Sequence, residues 1–109
     1  MVKEFRKYNK GKLRYDLLPV EALEAVVDVL TYGAEKYTVA GSSGDSNWKN
    51  CPDIDNVYYA AALRHIMAWR KGETTDSEST RHHLAHAMCC LIFILQTDLE
   101  KIKNTKRNK

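Results

Sequence analysis

The sequence predicts an all-α fold, a small bundle of about three main helices, from three observations. Only five Gly and two Pro occur in 109 residues, so few turns are obligatory. Apolar residues recur at three- and four-residue steps in two separate stretches, and a third stretch is apolar over most of its length. A chain this short supports one hydrophobic core, since two would each bury too little surface.

Residues 1–16 form a basic N-terminal arm without a helical period. Leu17, Leu18 and Pro19 open the first helix, where Leu23, Val26, Val27, Leu30 and Ala34 share one face and Pro19 is tolerated in the first turn. That helix ends near Lys36 or Tyr37. Residues 38–52 read TVAGSSGDSNWKNCP, whose Gly, Ser, Asp and Asn content makes a loop. The second helix starts near Asp53 or Asp55, turns Tyr59, Ala62, Leu63, Ile66 and Met67 inward, and stops where Gly72 supplies a left-handed cap. After a short acidic turn the third helix runs from about Glu78 toward Leu99, and residues 84–95 are apolar enough to be buried on nearly every side. The helical domain thus spans 17–100, with a solvated basic tail over 101–109. Three such helices give a thin core, and the third needs more cover than two neighbours supply. A homodimer or homotetramer is therefore expected.

The formal charge of +3 hides a segregated pattern. Residues 1–14 hold six cations against Glu4, and residues 101–109 hold five with no acid, which leaves six cations against thirteen acids between them. Such an acidic centre beside a basic arm suits a divalent ion together with phosphate. The terminal run KIKNTKRNK has no aromatic residue or reading helix among its cations, so a nucleic acid polymer is not expected as a partner. No membrane span is expected either, because the apolar run 88–95 has only eight residues, where a span needs about twenty. Three cysteines, Cys51, Cys89 and Cys90, without zinc-type spacing or a signal-peptide pattern, point to packing roles in a reducing cytoplasm.

The densest acidic cluster is GETTDSES, with Glu73, Asp76 and Glu78. Gathered carboxylates are what hard cations such as Mg²⁺ require. The same residues also read as helix capping, since Thr75 and Glu78 have capping-box spacing and Asp76 falls in a first turn. Downstream, His82, His83 and His86 lie at helical spacings, suited to binding a metal, contacting phosphate or filling structural roles. Arg64 and His65 sit among alanines in the second helix, where Arg64 either reaches phosphate or makes a structural ion pair. Glu35 stands near a helix C-terminus, against the macrodipole preference, and is either functional or a surface residue paired with Lys36. Lys12 and Arg14 follow Gly11 and can cradle phosphate, although no Walker motif is present. Tyr37, Asn47 and Trp48 can stack and hydrogen-bond a base, while Trp48 can equally staple its loop to the core.

Taken in order, GKLRYDLLPVEAL, VLTYGAEKY, NW, LRHIMAW, GETTDSES and HHLAHA resemble the small dATP/dGTP diphosphohydrolases related to MazG-like nucleotide pyrophosphatases. The resemblance covers about residues 8–96. It implies a protein often carried by bacteriophages, with an all-helical fold working as a dimer or tetramer with Mg²⁺ or Mn²⁺. The implied reaction converts purine deoxynucleoside triphosphates to monophosphate and pyrophosphate. Matched position by position, it implies Glu35, Glu73, Asp76 and Glu78 as metal ligands and Lys12, Arg14, Lys36 and Arg64 as phosphate partners. It further places His65, His83 and His86 at the edge of the site and Tyr37, Asn47 and Trp48 near the base. Glu35, Glu73 or His86 would take the proton of the attacking water. The sequence departs from the wider superfamily, whose ExxE and ExxD motifs are separated by a short connection. Here Glu21 and Glu24 lie far before Glu73 and Asp76. The family pattern also has Gly where Thr80 stands and often an amide where Cys90 stands. Two alternatives belong to other classes: a non-catalytic protein that sequesters a nucleotide or nucleotide-derived signal, and a helical oligomer without a ligand.

Overall fold

In a computed structural model, which describes residues 4–8 and 10–107, the chain forms three α-helices: α1 (Val20–Lys36), α2 (Ile54–Arg70) and α3 (His83–Arg107). Lys3 and Lys109 of the basic ends lie outside the described residues. Among the described residues there is no strand, only isolated bridges between Val39 and Ser42 and between Thr75 and His82. The fold is all-α, as the sequence predicts. Single 3₁₀ turns cover Tyr15–Leu17 and Asn47–Asn50. No helix among the described residues is long and apolar enough to cross a membrane.

α1 begins one residue after Pro19, which occupies the N-cap, and ends at Lys36 as its pattern indicates. α2 ends in a Schellman motif: the N–H of Gly72 bonds to Trp69 O and that of Glu73 to Ala68 O. Gly72, at φ +105, supplies the left-handed step. The expected start of the third helix near Glu78 is not observed. Asp76 Oδ2 accepts the N–H groups of Glu78 and Ser79, while the Asp76 N–H bonds to Arg81 O and that of Thr80 to Asp76 O. These bonds curl residues 75–82 into a closed loop whose ends are paired, and Thr75 makes the bridge to His82 in place of a capping box. α3 starts at His83, and His82 Nδ1 accepts the Leu84 N–H at 3.0 Å as its cap. The helix then continues past Leu99 through the basic run. Ile102 extends the apolar spacing of Leu95 and Leu99, Lys101 pairs with Asp55 of α2 at 3.2 Å, and cations suit a helix C-terminus.

α3 is the central element, packing along α2 and against α1. Val26 and Val29 of α1 meet Ala85 and Cys89 of α3, with Leu30 and Phe93 partly buried around them. Several residues expected inside are not covered. Leu23 and Val27 of α1 and Tyr59, Leu63 and Met67 of α2 are exposed, as are Met88, Leu91 and Leu95 of α3. Two neighbouring helices cover one side of α3 only, so burial on nearly every side does not occur within one chain. The radius of gyration, 18.3 Å, exceeds the roughly 13 Å of a compact domain of this size.

Thr80 adopts φ +62, a left-handed conformation that a β-branched residue rarely takes. The left-handed penalty of about 1–2 kcal/mol outweighs the extra chain entropy of glycine, about 0.4–1 kcal/mol. Thr80→Gly should therefore stabilise the protein by roughly 0.5–1 kcal/mol in urea unfolding; an unchanged or lower midpoint would show that the loop carries no such strain.

Candidate functional site

α2 and α3 run antiparallel in a register fixed by two ring pairs. Tyr58 meets Phe93 edge-on with centroids 5.1 Å apart, and His65 stacks on His86 at 4.6 Å and 9°. On each helix the two members are seven residues apart, about two turns or 10 Å. Beside them, and walled by the second half of α1 and the 44–49 loop, lies a pocket of about 650 Å³ with one aromatic end and one polar end.

At the aromatic end Trp48 lies flat on Phe93, with centroids 4.6 Å apart and planes within 11°. Trp48 thus staples the loop to the core while still lining the pocket, and Asn47 and Gln96 add amides beside it. The loop closes back on α1 through Thr38, whose hydroxyl donates to Ala34 O and accepts the Gly44 N–H. A side chain at Gly44 is not tolerated, because its Cβ would lie 2.0 Å from Ala34 O. Cys89 and Cys90 form the floor between the two ends.

The polar end is made by His65 of α2, Asp76, Glu78 and Ser79 of the 75–82 loop, and His86 of α3, with Lys36 of α1 opposite. Ser79 is almost completely buried; its Oγ lies 2.6 Å from His86 Nε2 and accepts the Arg81 N–H. Arg81 ties the loop to α1, bonding Asp28 at 3.1 Å and lying over the Tyr32 ring. Burial lowers the His65 pKa, assisted by the imidazoles of His86 and His83. Burial also lowers that of His86, and Asp76 only partly offsets it. For Asp76 burial acts upward, but the bonds from Ser79 and the neighbouring imidazoles outweigh it and hold the carboxyl below its ordinary value. The hydrogen bond to Glu78, at 2.5 Å, raises the Lys36 pKa.

The residues expected from sequence divide accordingly. Lys36, Tyr37, Asn47, Trp48, His65, Asp76, Glu78 and His86 share the pocket. Lys12 and Arg14 instead flank a separate recess with Asp16, which pairs with Arg14 at 2.8 Å. Glu35 and Arg64 are exposed and outside the pocket walls. His83 is buried behind the pocket, its Nδ1 2.8 Å from that of His65. Glu73 is exposed on the far side of His83, its Oε1 3.4 Å from Nε2. The four carboxylates therefore do not converge: Asp76 and Glu78 face the pocket, and Glu78 is engaged by Lys36. An all-oxygen Mg²⁺ cage built from those four does not fit this arrangement. Among the described residues, the metal-type donors that do converge are His65, Asp76 and His83, whose ligand atoms lie within 4.8 Å of one another. Ser79, Tyr58, Phe93 and Gln96 were not expected at the site. The signal for two of them was the matching seven-residue spacing of Tyr58 to His65 and of His86 to Phe93.

The family model for the N-terminal part of dATP/dGTP diphosphohydrolases matches residues 3–107, nearly the whole chain. The chain belongs to this family. A relative within it, the dATP/dGTP diphosphohydrolase of Salmonella phage PMBT28, is 33% identical over 88 residues, covering 81% of this chain. The match spans only 28% of that phage protein, so this member corresponds to a minor part of its relative's length. No solved structure gives a significant match.

Burial pushes the Cys89 thiol up to about 12 and that of Cys90 to about 11, which suppresses the reactive thiolate. At pH 8, iodoacetamide should modify the partly exposed Cys51 well before either floor cysteine, as followed by mass spectrometry. Equal labelling of all three would mean that the pocket floor is open to reagent.

Proposed function

We propose that this chain hydrolyses purine deoxynucleoside triphosphates, dATP and dGTP, to the monophosphate and pyrophosphate with the aid of a divalent ion, Mg²⁺ or Mn²⁺. The family and its named phage relative support this reading. The observation that carries it is the two-ended pocket, in which stacked aromatics stand about two helical turns from a cluster of imidazole, carboxylate and ammonium groups.

In this reading the base seats at the Trp48 and Phe93 end, where flat apolar surface favours a purine and the Asn47 and Gln96 amides meet its edge. The phosphates lie toward Lys36, which offers a flexible point charge once drawn from Glu78. A divalent ion, when bound, would supply the positive charge that lets a triphosphate approach the acidic end of the pocket. Asp76 would be the carboxylate that holds it. His86, positioned by Ser79, takes the proton of the water that attacks the α-phosphorus; the bond to the bridging oxygen breaks and pyrophosphate leaves. Incubation with each deoxynucleoside triphosphate and Mn²⁺ should release pyrophosphate from dATP or dGTP. His86→Ala should slow that release by about 10²–10⁴-fold. Tight nucleotide binding without pyrophosphate would identify a sequestering protein instead, and neither binding nor turnover would remove the reading.

The chain is further proposed to work as a homodimer or homotetramer. Met88, Leu91, Leu95, Leu99 and Ile102 make an exposed stripe at three- and four-residue steps along α3, and Tyr59, Leu63 and Met67 make another on α2. Such stripes suit helix-on-helix burial by a second copy. Light scattering should report at least a dimer, and Leu95→Glu should shift it toward monomer; a wild-type monomer at high concentration would exclude this assembly.

A further inference from the structure

We propose that His65, Asp76 and His83 form a binding site for a transition-metal ion of the Zn²⁺, Co²⁺ or Mn²⁺ class, with Glu73 orienting His83, and that this site discriminates against Mg²⁺. The ligand atoms of the three residues lie within 4.8 Å of one another, and each comes from a different element: α2, the 75–82 loop and α3. His65 Nδ1 and His83 Nδ1 face each other at 2.8 Å. They share a hydrogen bond whose direction depends on the tautomer, and an ion bound between the rings would replace it. The Asp76 carboxylate is aimed by the N–H groups of Glu78 and Ser79, which occupy Oδ2.

An independent observation comes from the other side of the His83 ring. His83 is 5% exposed, and its Nε2 has no hydrogen-bond partner although Glu73 Oε1 stands 3.4 Å away. A buried ring nitrogen without a partner is poorly served. A metal ion on Nδ1 would replace the hydrogen bond to His65 and fix the ring proton on Nε2, next to a carboxylate able to accept a hydrogen bond from it. A carboxylate behind a metal-bound histidine is the common means of fixing tautomer and ring direction.

The donor chemistry sets the choice of ion. Two nitrogens and one oxygen suit borderline d-block ions, whereas Mg²⁺ seeks oxygen ligands and gives up water reluctantly. Affinity should rise from Mn²⁺ through Co²⁺, with Zn²⁺ also bound more tightly than Mn²⁺. The site adjoins the polar end of the nucleotide pocket, so its part in catalysis rests on the hydrolase reading, while its binding of metal does not.

The test uses the full chain, stripped with chelator and titrated at neutral pH with each metal alone. Calorimetry should give one Co²⁺ or Zn²⁺ per chain, and Co²⁺ should show a ligand-field absorption band. Mg²⁺ should bind at least about 100-fold more weakly than Co²⁺. Glu73→Gln, at an exposed position, should weaken Co²⁺ by about 10- to 100-fold. His65→Ala should abolish the band, with circular dichroism showing that the helices persist. Equal affinity for Mg²⁺ and Co²⁺ in the wild type, or an unchanged band in a folded His65→Ala protein, overturns the proposal. If a variant fails to fold, the wild-type metal series still decides. A protein that binds Co²⁺ as described yet releases no pyrophosphate retains this site and loses the hydrolase reading; hydrolysis with Mg²⁺ and no Co²⁺ band does the reverse.

Discussion

By accepting the N–H groups of Glu78 and Ser79, the Asp76 carboxylate closes the loop that sets α3 against α2. The Schellman stop at Gly72 releases the chain from α2, and the Asp76 loop turns it back within a few residues. The antiparallel register that follows places His65 on His86 and Tyr58 on Phe93. Arg81 then carries the constraint to α1 through Asp28 and Tyr32. One short loop thus sets the positions of side chains from all three helices. Its carboxylate is also one of the acids that line the pocket, so structural and chemical demands fall on the same group.

The two ends of the pocket differ in their physics. The aromatic end is held by ring contacts and an apolar floor in which burial keeps the cysteines protonated. At the polar end, imidazoles stripped of much of their solvent are biased toward the neutral form, while Asp76 is biased toward the charged form by its hydrogen bonds. Neutral nitrogen donors beside an ionised carboxylate form an electron-pair-rich environment. It attracts cations, and it admits anionic groups only alongside them.

Much of the fold was legible because helix limits are written locally. Pro19 and Gly72 mark the start of α1 and the end of α2, and the Gly, Ser and Asn content of the loop interrupts the helices there, leaving only a short 3₁₀ turn and an isolated bridge. The start of α3 was not legible, since Thr75 and Glu78 have capping-box spacing but the Asp76 side chain competes for the same N–H groups. The extent of α3 was obscured by the charge of its last turns, although Ile102 continues the apolar period and Lys101 reaches Asp55. At the site, residue type identified the pocket-facing His65, Asp76 and His86 but not which acids converge, because Glu73 lies on the far side of His83 and Glu35 is exposed outside the pocket walls. Leu63 and Met67 followed the period of a buried face, yet a single chain has nothing to cover them.

The segment carrying Trp48 is fastened at two points, the Thr38 hydroxyl bonds at one side and the indole stack at the other. The indole rests on Phe93, which itself packs against the Val26, Val29, Ala85 and Cys89 cluster. This wall is therefore continuous with the helix packing, so a change that loosens the core also unseats the wall. Because the indole is itself part of that contact, its fluorescence would report whether the wall is seated.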